Sequence, residues 1–143
     1  LQNRGSSFKV DAKHRNGIAG GKRPMHTIIP AMLTKGGRVV MPFGVMGGHY
    51  QPVGQSHVLT NILDYGMDPQ EAIDAPRAHH RDGMVKLERG YSEAVAEGLR
   101  KLGHKTAPSD GPLGGGQAIW IDEKTGNLVG GSEPRKDGLA LGY

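Results

Sequence analysis

Apolar residues run together or alternate in several short stretches of the chain, as they do in β-strands. The stretches 27–33 and 38–43 are joined by the turn residues 35–37 and predict a β-hairpin. A second hairpin is predicted over residues 117–131, with its turn at residues 124–127. These two hairpins are the expected source of most of the sheet.

Three other stretches carry apolar residues at the helical spacing of three and four. One helix is predicted over residues 50–65, a second opens with Asp68 and its capping-box partner Glu71, and a third is capped by Ser92 and ends at Gly103. The predicted buried positions are Val58, Leu59, Ile62 and Leu63 in the first helix, and Val95, Leu99 and Leu102 in the third.

The order of the elements predicts the fold class. Short strands are expected at residues 84–87 and 105–107, so the chain runs hairpin, helix, helix, strand, helix, hairpin. A doubly wound parallel fold needs regular strand–helix alternation, which this order lacks. An α+β arrangement is therefore predicted, with antiparallel sheet covered by helices in a single domain.

The composition indicates a core that is sparse for this length. Of 143 residues, 36% are hydrophobic and 24 are glycine, with only 2 Phe and 1 Trp. A turn-rich chain of this kind is expected to borrow apolar contacts from a partner. The start at Leu1, without an initiator Met, reads as a fragment or a processed product, so we expect the domain to be incomplete at its N-terminus.

Charge and cysteine content exclude some classes of function. The net charge of +4 is dispersed, without a Lys/Arg run or interleaved aromatic residues, which disfavours a nucleic-acid partner and fits a small anionic substrate. The absence of cysteine rules out disulfides and thiolate metal sites. No stretch approaches the roughly 20 apolar residues of a membrane span. The compartment stays undetermined between cytoplasm and periplasm.

The stretch from Met41 to Tyr50 is the first candidate for chemistry. A strand that breaks at Gly47 and Gly48 and feeds a helix presents bare backbone N–H groups at a helix entry, which suits an anion or a developing oxyanion. The competing interpretation is a tight turn without chemistry. A phosphate loop is disfavoured because the Gly-Lys-Ser/Thr ending is missing.

A second candidate is the segment 22–27, where two cations precede Pro24 and two polar residues. The functional hypothesis is that His26 and Thr27 donate hydrogen bonds to a substrate carboxylate, and the alternative is an ordinary charged loop. No pair of histidines has metal-ligand spacing, so no metal site is predicted. Ser56 lacks the nucleophile-elbow pattern of a serine triad.

Taken together and in order, these motifs resemble the C-terminal part of the small subunit of the γ-glutamyltranspeptidase family. The resemblance covers essentially the whole chain, and five motifs in register make it specific. They are Arg23-Pro24 followed by two polar residues and Pro30; Gly44-x-x-Gly47-Gly48; Asp64-Tyr65-Gly66; Glu71-Ala72-x-x-Ala75-Pro76-Arg77; and Pro134-Arg135-x-x-Gly138-x-Ala140-x-Gly142-Tyr143.

The resemblance implies an N-terminal-nucleophile (Ntn) hydrolase, a four-layer αββα sandwich made by autocatalytic cleavage of a zymogen and incomplete in this chain. It implies an N-terminal threonine nucleophile that lies upstream of Leu1 and needs no cofactor. Gly47 and Gly48 match the oxyanion-hole pair. The implied partner is the large subunit of the same precursor, which would complete the single domain over 1–143, and a dimer of such heterodimers is left open. Arg77 and Arg135 are expected to be structural ion-pair arginines.

This sequence departs from the family pattern where the acyl donor binds. His26 and Thr27 replace two serines that hold a carboxylate, with Arg23 beside them. Ser7 replaces the acidic residue that receives the donor's ammonium, and Arg4 replaces a glutamine. Losing a charge-assisted partner costs on the order of 1.5–3 kcal/mol, and Arg4 adds a forked cation suited to a carboxylate.

These departures predict an amide substrate that carries a carboxylate but no amino-acid ammonium. The expected enzyme is therefore an amidohydrolase or acyltransferase of the acylase branch. A true glutathione hydrolase, active in glutathione metabolism, is the first alternative. A non-catalytic binding or assembly module without the nucleophile is the second.

Overall fold

A computed structural model describes residues 3–142 of the chain. Leu1 and Tyr143, which belong to the sequence arguments above, lie outside the described residues together with Gln2. The strands are β1 (Ala31–Lys35), β2 (Arg38–Met46), β3 (Ala78–Arg81), β4 (Met84–Leu87), β5 (Thr106–Pro108), β6 (Gly115–Ile121) and β7 (Leu128–Ser132). The α-helices are α1 (Gln51–Leu63), α2 (Pro69–Asp74) and α3 (Glu93–Lys101). Short 3₁₀ turns span Arg4–Ser7, Gly48–Tyr50 and Pro134–Lys136.

Two sheets organise these elements. The larger one is antiparallel with the strand order β1-β2-β6-β7, and α1 and α2 pack on one of its faces. Met41, Phe43 and Val45 alternate along β2 toward these helices, where they meet Val58 and Ile73. The smaller sheet has the order β3-β4-β5, with β4 and β5 parallel. Its core cluster also contains Ala96 of α3.

The first predicted hairpin is present, with small shifts at its ends. Gly36 and Gly37 have φ values of 58° and 79°, which is the type I′ combination that favours glycine. The strand begins at Ala31 rather than at residue 27, because the ladder starts only after Pro30, which has no N–H to donate. β2 extends to Met46 because its end pairs with Gly115.

Helix boundaries follow the sequence signals closely. Asp68 and Glu71 form the reciprocal capping box, and Ser92 accepts the backbone N–H of Val95. Gly66 and Gly103 both have positive φ just past the ends of their helices. The second hairpin, formed by β6 and β7, is also present as predicted.

The predicted buried stripes of α1 and α3 are partly wrong. Leu63 is 55% exposed at the last position of α1, whereas the buried positions of that helix include Asn61 and Ile62. In α3 the buried residue is Ala96, while Val95 and Leu102 are 43% and 78% exposed. A short helix against a three-stranded sheet buries only its narrow central face, and Leu102 lies beyond its last helical residue.

One strand was not predicted. Ala78–Arg81 pairs antiparallel with β4 through a turn at Asp82 and Gly83, whose φ values are 52° and 76°. The Asp-Gly turn was a usable hairpin signal. It was obscured because the strand itself, Ala-His-His-Arg, has no apolar alternation.

The face of the larger sheet opposite α1 and α2 is apolar and exposed. Met32, Met46 and Ile119 share this face by register, with exposures of 58%, 55% and 45%. Among residues 3–142, no helix has the length and apolar character needed to cross a membrane.

Candidate active site

The turn between β2 and α1 has a backbone that only glycine adopts readily. Gly47 has a φ of 138° and Gly48 a φ of 58°, and the chain passes through the 3₁₀ turn Gly48–Tyr50 into the first helical residue, Gln51. The strand–Gly–Gly–helix geometry predicted from the sequence is therefore present.

A single hydrogen bond orients the peptide between the two glycines. The backbone N–H of Tyr50 donates to the carbonyl oxygen of Gly47 at 3.1 Å. Because the peptide unit is planar and trans, the N–H of Gly48 points away from that carbonyl. Within the part of the chain that the structure describes, the N–H groups of Gly47 and Gly48 have no hydrogen-bond acceptor. Two adjacent donors are thus available to an anion.

Gly48 lies on the wall of a broad cleft of about 860 Å³. The cleft runs along the open face of the larger sheet and is mainly apolar, with walls formed in part by Ile28, Pro42 and Ile119. Its polar and charged side chains come from four separate segments of the chain. They are Arg4, Thr27, Gln51 and Gln117.

The structure brings three of the predicted site residues together in this cleft: Arg4, Thr27 and Gly48. The segment carrying Thr27 is fixed to α1, because the side-chain amide of Gln55 donates to the carbonyl of Ile29 at 2.7 Å. Thr27, two residues before Ile29, lines the same cleft as Gly48.

Three other predicted residues stand outside the cleft lining. The hydroxyl of Ser7 donates to the carbonyl of Arg4 at 2.9 Å, so this side chain supports the backbone of Arg4. Arg23 and His26 are exposed. Lys22, the first of the two cations before Pro24, donates to the carbonyls of residues 15 and 17 and closes the N-terminal loop.

Sequence reasoning missed Gln51 and Gln117. Gln51 is the first residue of α1, so its position follows from the site of the turn. Gln117 pairs with Gly44 across β2 and β6, and therefore points to the same face as the cleft. That register was not available from the sequence, because the two strands are far apart in the chain.

Gly47 lies on the other side of the turn, beside a smaller cleft of about 260 Å³. The lining of this cleft includes four basic side chains and no acidic one; they are His49, His79, Arg81 and Lys136. The imidazole of His79 meets the ring of Tyr50 edge-on, with the centroids 5.3 Å apart. The Gly47–Gly48 turn thus separates an apolar cleft from a basic one.

Buried ion pairs lie beneath the turn. Arg77 and Glu133 are fully buried and 2.7 Å apart, and Arg135 pairs with Glu88 at 2.8 Å and with Glu133 at 2.9 Å. Burial alone would raise the pKa of Glu133, but the N–H of Gly116 and the two guanidinium groups outweigh it and lower that pKa. The predicted structural role of Arg77 and Arg135 is confirmed by these pairs.

Two polar groups near the turn are shifted toward their neutral forms. Burial raises the pKa of the Tyr50 hydroxyl to about 12, so this group stays protonated at neutral pH. Burial, with the charges of Arg77 and Arg135, lowers the pKa of His57. Neither the Tyr50 hydroxyl nor Nε2 of His57 has a hydrogen-bond partner among residues 3–142.

No three His, Asp or Glu side chains in that range are grouped so as to hold a metal ion.

Comparison with known proteins adds independent evidence. The family model described as gamma-glutamyltranspeptidase matches residues 1–143. The glutathione hydrolase-like YwrD proenzyme of Bacillus subtilis (strain 168) is 39% identical over 152 residues, which cover 99% of this chain and 29% of that protein. The oxamate amidohydrolase proenzyme of Klebsiella pneumoniae subsp. pneumoniae is 36% identical over 151 residues, which cover 99% of this chain and 28% of that protein.

Among solved structures, the cephalosporin acylase from Bacillus halodurans is 44% identical in sequence and superposes with a TM-score of 0.87. The match covers 100% of this chain and 28% of that one. The chain therefore spans less than a third of the length of these relatives.

Proposed function

The chain belongs to the gamma-glutamyltranspeptidase family, and on this premise we propose that it forms part of an amidohydrolase that transfers an acyl group from an amide to a threonine and then to water or an amine. The likeness to the acylase structure confirms the predicted fold class, an α+β Ntn-hydrolase fold of which this chain carries a part. The activity, substrate and partners of the whole protein are argued below as proposals.

The central step is attack by an N-terminal threonine, supplied by the rest of the precursor, on the amide carbonyl. The carbonyl oxygen becomes an oxyanion, which the N–H groups of Gly47 and Gly48 bind. When the carbonyl re-forms, the C–N bond breaks and the amine leaves with the proton of the threonine hydroxyl; water or an amine then cleaves the acyl ester. The observation that supports this role is the orientation of the turn: the Gly47 carbonyl is held by Tyr50, and both glycine N–H groups lack a partner among the described residues. Preorganised amide donors of this kind are worth about 10²–10³ in kcat each.

The acyl group is proposed to occupy the apolar cleft beside Gly48. Arg4 and Thr27 would bind its carboxylate, with Gln51 and Gln117 as further polar contacts. Arg23 and His26 are exposed near Thr27 in the chain. At the entrance of the cleft, His26 would donate a hydrogen bond to the carboxylate and Arg23 would add positive charge. Ser7 would act through Arg4, whose carbonyl it binds.

We propose that the acyl donor carries a carboxylate without an α-ammonium. Arg4 and Thr27 offer a cation and a hydroxyl to the cleft, and no acidic side chain is found among its lining residues. An ammonium would therefore enter without a carboxylate partner from this part of the chain. The names of two relatives, oxamate amidohydrolase and cephalosporin acylase, support a non-γ-glutamyl donor. The glutathione hydrolase-like relative supports the competing donor.

The large subunit of the same precursor is the proposed partner. It would pack over the exposed apolar face that carries Met32, Met46 and Ile119, form the outer wall of the acyl cleft and so complete the layers of the single domain. Residues 1–143 would then be the C-terminal portion of the small subunit. The proenzyme names of the curated relatives support such a processed precursor.

Donor kinetics test the proposal on the processed full-length enzyme. We expect kcat/KM for a glutaryl or oxamic amide to exceed that for γ-glutamyl-p-nitroanilide by about tenfold or more, because the ammonium lacks its charge-assisted partner. Arg4→Ala should lower kcat/KM for the carboxylate donor by about tenfold, while Arg15→Ala, an exposed control in the N-terminal loop, should leave it unchanged.

Two results would contradict the proposal at different levels. Faster turnover of the γ-glutamyl donor would identify a glutathione hydrolase and refute the substrate assignment. Absence of turnover with every amide, in a precursor that has been cleaved, would favour the binding or assembly module instead.

A further inference from the structure

The glycine turn is held by contacts from a loop that the proposed chemistry does not use. Gly114 lies directly against the turn, with a φ of 72°. A Cβ atom at Gly114 would come within 2.5 Å of the Met46 carbonyl oxygen and within 2.7 Å of the Tyr50 ring. Conversely, a Cβ at Gly47 would lie 3.0 Å from the Cα of Gly114. The two backbones therefore touch without side chains between them.

This contact has a direct consequence for one of the proposed oxyanion donors. The carbonyl of Met46 and the N–H of Gly47 belong to the same peptide plane, so a group that pushes the carbonyl also rotates the N–H. The peptide plane between Gly47 and Gly48, which contains the N–H of Gly48, is fixed separately. Its carbonyl, that of Gly47, accepts the backbone N–H of Tyr50 at 3.1 Å. Each of the two donor N–H groups thus has its own structural constraint.

The ring of Tyr50 joins the two constraints. Tyr50 is 3% exposed, and its ring packs close to Gly47, Gly54 and Gly114. A Cβ atom on any of these three glycines would clash with the ring or press on it. The imidazole of His79 contacts the same ring edge-on. The hydroxyl contributes nothing to this packing through hydrogen bonds to residues 3–142, since none of them is its partner.

The loop that carries Gly114 is itself anchored on both sides. The carbonyl of Leu113 accepts from Arg77 at 2.8 Å, and the N–H of Leu113 donates to Glu88 at 2.6 Å. On the other side, the N–H of Gly116 donates to the buried carboxylate of Glu133 at 2.6 Å. Gly114 is therefore a fixed point against which the Met46–Gly47 peptide rests.

We propose that Gly114 and the ring of Tyr50 are positioning residues that set the direction of the Gly47 and Gly48 N–H groups for oxyanion binding. This inference rests on the proposed amidohydrolase function. It predicts that disturbing either residue lowers kcat in each folded, processed enzyme molecule while substrate binding is retained, because the oxyanion forms only after binding.

The test compares Gly114→Ala with Gly126→Ala in the processed full-length enzyme. Gly126 is a matched control, because its φ of 76° carries the same backbone strain but a Cβ there would meet nothing within 4 Å. The amount of processed enzyme is taken from the cleaved subunits separated on a denaturing gel, and folding is checked by circular dichroism, so a loss of folded or processed protein does not enter kcat. We expect Gly114→Ala to lower kcat by about tenfold or more with KM within about twofold, and Gly126→Ala to keep both values near wild type.

A second pair keeps the inference testable if Gly114→Ala yields too little processed protein. Tyr50→Leu should lower kcat in the same way, whereas Tyr50→Phe should restore most of it, since the ring and not the hydroxyl makes the contacts. Equal kcat values for Gly114→Ala and Gly126→Ala, or for Tyr50→Leu and wild type, would overturn the positioning role while leaving the proposed function intact. An inactive wild-type enzyme would remove the proposed function, and the positioning role with it.

Discussion

Buried polar groups near the glycine turn differ in whether they have hydrogen-bond or ion-pair partners. The carboxylate of Glu133 accepts from two guanidinium groups and from the backbone N–H groups of Gly116 and Arg135. By contrast, Nε2 of His57 is buried without a partner among the described residues. Because this imidazole is half-buried and near the positive charges of Arg77 and Arg135, its neutral form is favoured. The histidine, not the ion pairs, should therefore set how stability responds to mildly acidic pH.

We predict that His57→Gln reduces the loss of stability on mild acidification. The pKa of His57 is lowered in the folded protein from an ordinary value of 6.5. As the pH falls below that value, the unfolded chain binds a proton that the folded chain does not, so the folded state loses stability. The slope is at most about 1.4 kcal/mol per pH unit. The loss of stability stops growing once the pH has fallen below the pKa of His57 in the folded protein.

Apparent melting temperatures of the processed enzyme between about pH 5 and pH 8 measure this effect. Wild type should fall more steeply toward the acid end than His57→Gln. His104→Gln, at an exposed position, serves as the control and should follow wild type. Identical curves for wild type and His57→Gln would show that His57 is not the responsible group.

At the scale of elements, α2 shows how a short helix is held by its cap. It has six residues, yet Ala72 and Ile73 are fully buried against the sheet. The cap supplies two hydrogen bonds: Asp68 accepts the N–H of Glu71 at 2.8 Å, and Glu71 accepts the N–H of Asp68 at 3.0 Å. So short a helix has little intrinsic stability of its own.

We predict that Asp68→Ala destabilises the protein by about 1 kcal/mol, because it leaves the backbone N–H of Glu71 without its side-chain partner. Chemical denaturation of the processed enzyme measures the change. Asp68→Ser, which keeps a capping oxygen, should recover most of the loss. Stability of Asp68→Ala equal to wild type would mean that the cap adds nothing beyond the packing of Ile73.

The elements also show which features can be predicted from sequence alone. Turns and caps were predictable, since Gly36-Gly37 and the Asp68–Glu71 pair impose local geometry whatever surrounds them. β3 and the buried face of α3 were not, because a polar strand and a nine-residue helix are defined by what they pack against. Local chemistry determined the first group, and tertiary contacts determined the second.

The candidate site divides in the same way. The Gly47–Gly48 turn was predictable because strand, glycines and helix are contiguous in the chain. Gln51 follows the turn directly and was overlooked. Gln117 was not recognised and Gly114 gave no signal, because both reach the cleft or the turn only through the pairing of distant strands. Contiguity in the sequence made the turn predictable, and the family resemblance pointed to Arg4 and Thr27, which lie far from it in the chain.

The whole molecule is organised around one sheet with two different faces. One face is filled by α1 and α2, while the other carries the cleft and the exposed apolar residues Met32, Met46 and Ile119. The glycine turn lies at the end of β2, between the apolar cleft and the basic cleft that contains Lys136. In the proposed mechanism, the amides of Gly47 and Gly48 would bind the oxyanion at the boundary between these two clefts.

The most direct test is a crystal structure of the processed full-length enzyme with a boronate or phosphonate that forms a tetrahedral adduct on the threonine. The proposed mechanism predicts that one adduct oxygen lies about 2.7–3.1 Å from the backbone nitrogens of both Gly47 and Gly48, with the acyl carboxylate near Arg4 and Thr27. An adduct whose oxygen is bound by other donors, with the amides of residues 47 and 48 directed away from it, would contradict the proposed mechanism.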